Sequence, residues 1–199
     1  MQLRADSLAS THAIAAALAG LARPGDVIVL AGDMGAGKTA FAQGFGRALG
    51  IDEAITSPTF TLVHSYPIPG GKHVLHHADL YRLDTTGDVE DLALHELAEF
   101  GGIVLVEWGD VVSGSLDDHL EVRLERDDDD DDDDDGDGDD DDDGDDDGGG
   151  DDDDDGDGVN DGGDDFGLDE ARLLTLEATG KGWAGRWDRL VAVMEPYRC

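Results

Sequence analysis

Apolar residues along this chain fall into short blocks whose spacing changes from segment to segment. Val27-Ile28-Val29-Leu30-Ala31 and Ile103-Val104-Leu105-Val106 contain no polar residue. That is the pattern of strands buried on both faces. Leu120 to Leu124 and Leu174 to Ala178 alternate apolar with polar or charged positions, as neighbouring strands with one wetter face would. Thr59 to Tyr66 and Lys72 to Leu80 read as a hairpin joined by Pro67-Ile68-Pro69-Gly70-Gly71. Leu8 to Ala22 reads as a helix of good formers, with Ser7 or Asp6 as N-cap and Pro24-Gly25 as its stop. Three more helices are expected: Thr39 to Leu49 ended by Gly50, Val89 to Phe100 closed by Gly101-Gly102, and Trp183 to Met194. Strands mixed with helices, the first strands wholly apolar, predict an α/β sheet covered on both faces.

Composition adds a second component. The chain has 199 residues and a formal net charge of −37, but the charge is concentrated. Residues 127–165 comprise 27 Asp, 10 Gly, Val159 and Asn160, and outside them 23 acidic and 13 basic residues remain. The expected organisation is one domain built from residues 1–126 and 166–199, interrupted by an Asp/Gly-rich insert at 127–165. With almost no apolar side chains and self-repelling charge, the insert is expected to be disordered. Flanking strands can still pair across it, because loop-closure entropy grows only logarithmically with length. Asp151 to Gly162 begins like a calcium-binding EF-hand loop but has Gly162 where the bidentate Glu belongs. Deleting 127–165 is therefore expected to leave nucleotide affinity within a few-fold.

Several classes drop out. Cys199 is the single cysteine, which excludes a disulfide scaffold and a cysteine-based zinc site. No apolar run approaches the ~18 residues of a bilayer span. Ala13 to Ala22 after Arg4 reads as a helix rather than a secretory leader, since Asp6 and His12 interrupt the flank. No basic stripe suited to gripping DNA or RNA is visible. The expected location is cytoplasmic, with any service to nucleic acid rendered through a partner. His73, His76 and His77 lie close in sequence, but their spacing does not favour a shared metal ion.

The chemistry is concentrated in Gly32-Asp33-Met34-Gly35-Ala36-Gly37-Lys38-Thr39, which fits G-x-x-x-x-G-K-[ST] at every fixed position. A buried strand precedes it and a helix follows, as the P-loop requires. Glycines let successive backbone N–H groups point at phosphate oxygens, and the helix N-terminus adds its positive dipole end. The expected nucleotide contacts are Asp33 through Ala40, with Lys38 on the β- and γ-phosphates and the Thr39 hydroxyl on Mg²⁺. Glu107, ending Ile-Val-Leu-Val-Glu, is the candidate second carboxylate for Mg²⁺, where such proteins usually carry Asp. Asp110 and Asp33 are weaker alternatives. Asp79, ending His76-His77-Ala78-Asp79, is the candidate for positioning water. The fold class is thus a P-loop NTPase-like three-layer α/β fold, its mostly parallel sheet extended by antiparallel strands and interrupted by the acidic insert.

Four segments in this order carry a resemblance: residues 32–39, Thr-Ser-Pro-Thr-Phe-Thr-Leu at 56–62, His-Ala-Asp-Leu-Tyr-Arg-Leu at 77–83 and Leu-Val-Glu-Trp at 105–108. Together they resemble the bacterial TsaE (YjeE) family, over about residues 3–125 and again at 171–198. The resemblance implies an ATPase of tRNA threonylcarbamoyladenosine (t6A) biosynthesis that uses ATP and Mg²⁺ and turns over slowly alone. It implies TsaD and TsaB as protein partners, with tRNA reached indirectly through the complex. By position it gives Lys38, Asp79 and Glu107 as the catalytic set and Thr39 and Glu107 as the metal pair. Ser57 and Thr59 then belong to a switch loop, Tyr81, Arg82 and Trp108 are switch or partner residues, and Ser7 to Thr11 lie near the adenine. The alternatives are a small-molecule P-loop kinase and a non-catalytic nucleotide-dependent switch. Against the kinase, Arg123 and Arg126 are the only Lys or Arg between Val89 and Arg172, so no arginine-rich lid is evident.

Overall fold

The computed structural model describes residues 1–83, 92–108, 118–127 and 170–199. Seven strands form one sheet: β1 (Gln2–Ala5), β2 (Val27–Ala31), β3 (Val63–Pro67), β4 (Val74–Asp79), β5 (Gly102–Glu107), β6 (His119–Arg126) and β7 (Arg172–Thr179). Their order is β1-β7-β6-β2-β5-β4-β3. The centre is parallel: β2 pairs with β5 and β6, and β5 pairs with β4. Antiparallel strands close both sides, β3 on β4, β7 on β6, and β1 on β7. This is the predicted α/β architecture, a mostly parallel core with antiparallel flanks. The helices are α1 (Leu8–Ala19), α2 (Lys38–Ala48), α3 (Leu94–Glu99) and α4 (Trp187–Met194), with short 3₁₀ turns at Ala184–Arg186 and Glu195–Tyr197.

The unbroken apolar runs are the central strands, as their sequences require. All residues of β2 and β5 are buried. Ile28, Leu30, Ile103 and Leu105 face α1, α2 and α4, while Val27, Val29, Val104 and Val106 face α3. Each such side chain stabilises the fold by roughly 1.5–3 kcal/mol relative to exposure, an upper estimate. Helices α1 and α2 cross closely at Gly44, where a Cβ would stand 2.7 Å from the His12 Cα. At the amino end of β2, Arg186 makes a bidentate pair with Asp26, its two terminal nitrogens donating at 2.6 and 2.8 Å. It also donates to the carbonyls of Leu21 and Gly182.

Some element boundaries differ from the sequence reading. β1 was not predicted; four residues have too little period of their own, and pairing with β7 makes them a strand. Helix α1 keeps its Ser7 cap, whose hydroxyl accepts from the Ser10 N–H, but ends at Ala19 rather than Ala22. The strand expected from Thr59 begins at Val63. Residues Pro58 to Leu62 turn instead, with the N–H groups of Thr61 and Leu62 on the Pro58 carbonyl and Leu62 at φ 63°. The helix expected over Val89 to Phe100 is Leu94–Glu99, with residues 84–91 outside those described. Trp183 to Met194 divides into a 3₁₀ turn and α4. The insert from Asp128 onward, the EF-hand-like stretch and Asp110 lie outside the described residues. Among the described residues, no helix is long and apolar enough to cross a membrane.

Candidate functional site

Parallel strands β2, β4 and β5 end on the same edge of the sheet, and the glycine-rich loop runs from β2 across that edge into α2. The loop depends on its glycines. Gly32, Gly35 and Gly37 all have positive φ, at 128°, 80° and 101°. A Cβ on Gly32 would also collide with the Leu124 carbonyl. Gly37 is the N-cap of α2 without a side-chain cap, so the first N–H groups of that helix are left to whatever the loop binds.

Lys38 is buried, and its ammonium donates to the carbonyls of Gly32 at 2.7 Å and Asp33 at 2.8 Å. It also lies 3.8 Å from the centroid of the Trp108 ring. That contact needs an unusual backbone: Trp108 has φ 60° and donates its N–H to the Leu30 carbonyl, which turns the indole over the loop. Tyr81 packs beside Trp108, its ring centroid 5.0 Å from that of the indole and tilted by 48°.

The Thr39 hydroxyl donates to Glu107, 3.0 Å from Oε1 and 3.2 Å from Oε2. Glu107 is buried at the end of β5 and also takes the His77 Nε2 at 2.9 Å on Oε1. Asp79, the register partner of Glu107, ends β4 and is buried too. Its Oδ2 accepts from the hydroxyls of Ser57 and Thr59, both at 2.7 Å, and its Oδ1 accepts from the Tyr81 N–H at 2.9 Å. The Pro58–Leu62 turn that replaces the expected strand is what carries Ser57 and Thr59 to this carboxylate. Lys38, Thr39, Glu107, Asp79, Ser57, Thr59, Tyr81 and Trp108 are therefore gathered along one edge.

The other expected residues lie around these. Asp33, Met34 and Gly35 are exposed on the loop, whereas Ala36 and Ala40 are buried beneath it. Arg82 stacks its guanidinium 4.4 Å from the Phe60 ring centroid, and Phe60 is 85% exposed. The histidines part company. His73 precedes β4, with Nδ1 on the Gly101 carbonyl, and His76 pairs with Ser65. His77 alone joins the site, a contact sequence reasoning had not assigned. Its signal was the two-residue alternation Leu75, His77, Asp79. Two arginines were also passed over: Arg126 and Arg172 are register partners, and their side chains border Gly35 and Gly37 respectively.

The donor set suits a hard cation. With its hydrogen on Glu107, the Thr39 oxygen keeps lone pairs for a metal. Among the described residues no group of three His, Cys, Asp or Glu could hold a metal by itself. Magnesium fits such a site, since it takes one or two protein oxygens and fills the rest from phosphate and water.

A strand, a glycine-rich loop and a helix, with the loop's threonine on a carboxylate from the adjacent strand, is the arrangement that P-loop proteins present to phosphate. Comparison with known proteins gives a definite family. The model for "Threonylcarbamoyl adenosine biosynthesis protein TsaE" matches residues 5–134. The chain belongs to the TsaE family. It is 42% identical to the TsaE protein of Bacillus subtilis over 117 residues, covering 58% of this chain and 72% of that one. It is 40% identical to the Streptomyces coelicolor protein over 111 residues, covering 55% and 74%. The fold is similar to the crystal structure of Bacillus subtilis YdiB, with a TM-score of 0.60, 27% identity, and 98% and 94% of the two chains covered.

Proposed function

We propose that this protein binds ATP with Mg²⁺ at the glycine loop and hydrolyses it in support of threonylcarbamoyladenosine formation on tRNA. The observation that carries the reading is the convergence at one sheet edge of Lys38, the Thr39–Glu107 pair and Asp79. In this reading the loop N–H groups and the α2 N-terminus receive the phosphates. Lys38 exchanges its two carbonyl partners for phosphate oxygens, whose full charge makes them the stronger acceptors. Thr39 and Glu107 hold Mg²⁺, which neutralises charge on the phosphates. Asp79 orients the attacking water from Oδ1, which carries a single donor. Ser57 and Thr59, on its other oxygen, act as the switch that senses the γ-phosphate.

The protein partners are TsaD and TsaB, and tRNA is reached through them. The exposed Phe60, with Arg82 and Tyr81, is the surface we assign to partner contact, because it adjoins the Asp79 hydroxyl cluster and would transmit partner binding to the water-positioning group. No specific observation favours the kinase alternative: the arginines that border the loop, Arg126 and Arg172, are carried on the paired strands β6 and β7.

The test is the level of threonylcarbamoyladenosine in bulk tRNA, by nucleoside mass spectrometry, in cells depleted of this protein. Wild type should restore the modification and Lys38→Ala should not. A level that never moves on depletion overturns the reading.

A further inference from the structure

His77 is a buried polar side chain of the site to which the proposed reaction gives no role. It lies on β4, where the alternation puts Leu75, His77 and Asp79 on the face toward α1 and α2, while Ala78 and Leu80 face the other core. Its side chain is fully buried, and its register partner on β5 is Leu105, two residues before Glu107 and so farther from the loop end of the strand. Nε2 sits 2.9 Å from Glu107 Oε1. A carboxylate only accepts, so Nε2 carries the hydrogen. Nδ1 is buried with no hydrogen-bond partner. An apolar residue such as Leu75 or Leu105 would fill this row without leaving a polar atom unmet. The contact with Glu107 is what the imidazole supplies and a leucine could not.

We propose that His77 is a positioning residue for the metal carboxylate. By fixing Oε1 from behind, it sets the rotation of the Glu107 carboxylate so that the remaining lone pairs, with those of the Thr39 oxygen, face the cation. It does not itself ligate the metal: Mg²⁺ prefers oxygen, and the ring is screened by the carboxylate it holds. This inference rests on the reading of the loop as an ATP–Mg²⁺ site.

The experiment measures nucleotide and metal binding separately, by calorimetry, with a non-hydrolysable ATP analogue in EDTA and then with Mg²⁺ titrated onto the saturated protein. For His77→Leu the apparent Mg²⁺ affinity should fall about 10- to 100-fold, with metal-free nucleotide affinity changed by less than about twofold. His77→Gln retains an amide donor close to Nε2 and should keep Mg²⁺ affinity within about threefold of wild type. An unchanged Mg²⁺ affinity in a folded His77→Leu protein overturns the proposal. Should that variant not fold, a folded His77→Gln protein as deficient in Mg²⁺ binding as Glu107→Ala overturns it as well. Failure of the underlying reading looks different: the wild-type protein itself would bind no analogue, or bind it without response to Mg²⁺.

Discussion

Asp79 and Glu107 stand in register at the ends of adjacent parallel strands, yet they share no hydrogen-bond partner. Glu107 is held by Thr39 and His77, and Asp79 by Ser57, Thr59 and the Tyr81 N–H. This division predicts separable defects. Asp79→Asn should lower single-turnover hydrolysis by about 10²-fold or more while leaving Mg²⁺–nucleotide binding within a few-fold. Glu107→Gln should weaken the Mg²⁺-dependent part of binding first. Unchanged turnover in Asp79→Asn would remove the water-positioning role.

Lys38 links the loop to Trp108, and nucleotide binding should break that link. With the ammonium 3.8 Å from the ring centroid, its transfer to phosphate should alter the indole emission. Trp108→Phe should abolish the change although Trp183 and Trp187 remain. Lys38→Ala should weaken ATP binding by roughly 10- to 100-fold, the equivalent of one charge-assisted hydrogen bond. Fluorescence titration with ATP tests both statements.

The Arg186–Asp26 pair lies at the opposite edge of the sheet and should govern stability alone. Both side chains are nearly buried, at 7% and 11% exposure. Arg186→Ala leaves the Asp26 carboxylate buried with only the Arg23 N–H, and should cost about 3–5 kcal/mol in urea unfolding. Arg186→Lys should rescue little, because an ammonium cannot reproduce the fork. Nucleotide affinity of the folded fraction should not change.

His12 gives the α1–α2 crossing a pH dependence. Burial, and then the charge of Arg47, hold its pKa below the ordinary 6.5. The unfolded chain therefore takes up a proton more readily than the folded one. The stabilisation is complete above about pH 6.5 and is lost as pH falls through the lower folded value. Between pH 7.5 and 5.5 the wild type should lose unfolding free energy more steeply than His12→Gln. His76, whose burial lowers its pKa in the same direction, persists in both proteins and cancels in the comparison. Equal slopes would mean that His12 does not carry the effect.

What the sequence determined by itself was local. Val27 to Leu49 is one contiguous strand, loop and helix, and its glycines, lysine and threonine announce phosphate chemistry because backbone conformation there is set by neighbours in the chain. The buried runs at β2 and β5 gave the sheet its parallel centre, since only strands covered on both faces lack polar residues. Among the strand-ending carboxylates, Glu107 was legible because it closes the apolar run Ile103 to Val106, and Asp79 because it ends the segment His76-His77-Ala78, although both are buried. Tertiary structure decided the pairings. Thr39 meets Glu107 across 68 residues, and His77 meets it across 30, so alternation with Asp79 separates His77 from His76 but no local pattern shows that it reaches Glu107. Likewise Thr59 has the composition of a strand residue, but Asp79 offers its hydroxyl a buried acceptor, and the chain turns at Pro58–Leu62 instead of continuing the ladder. β1 is the same case in reverse: its four residues carry too little period to specify a strand, and the free edge of β7 makes them one.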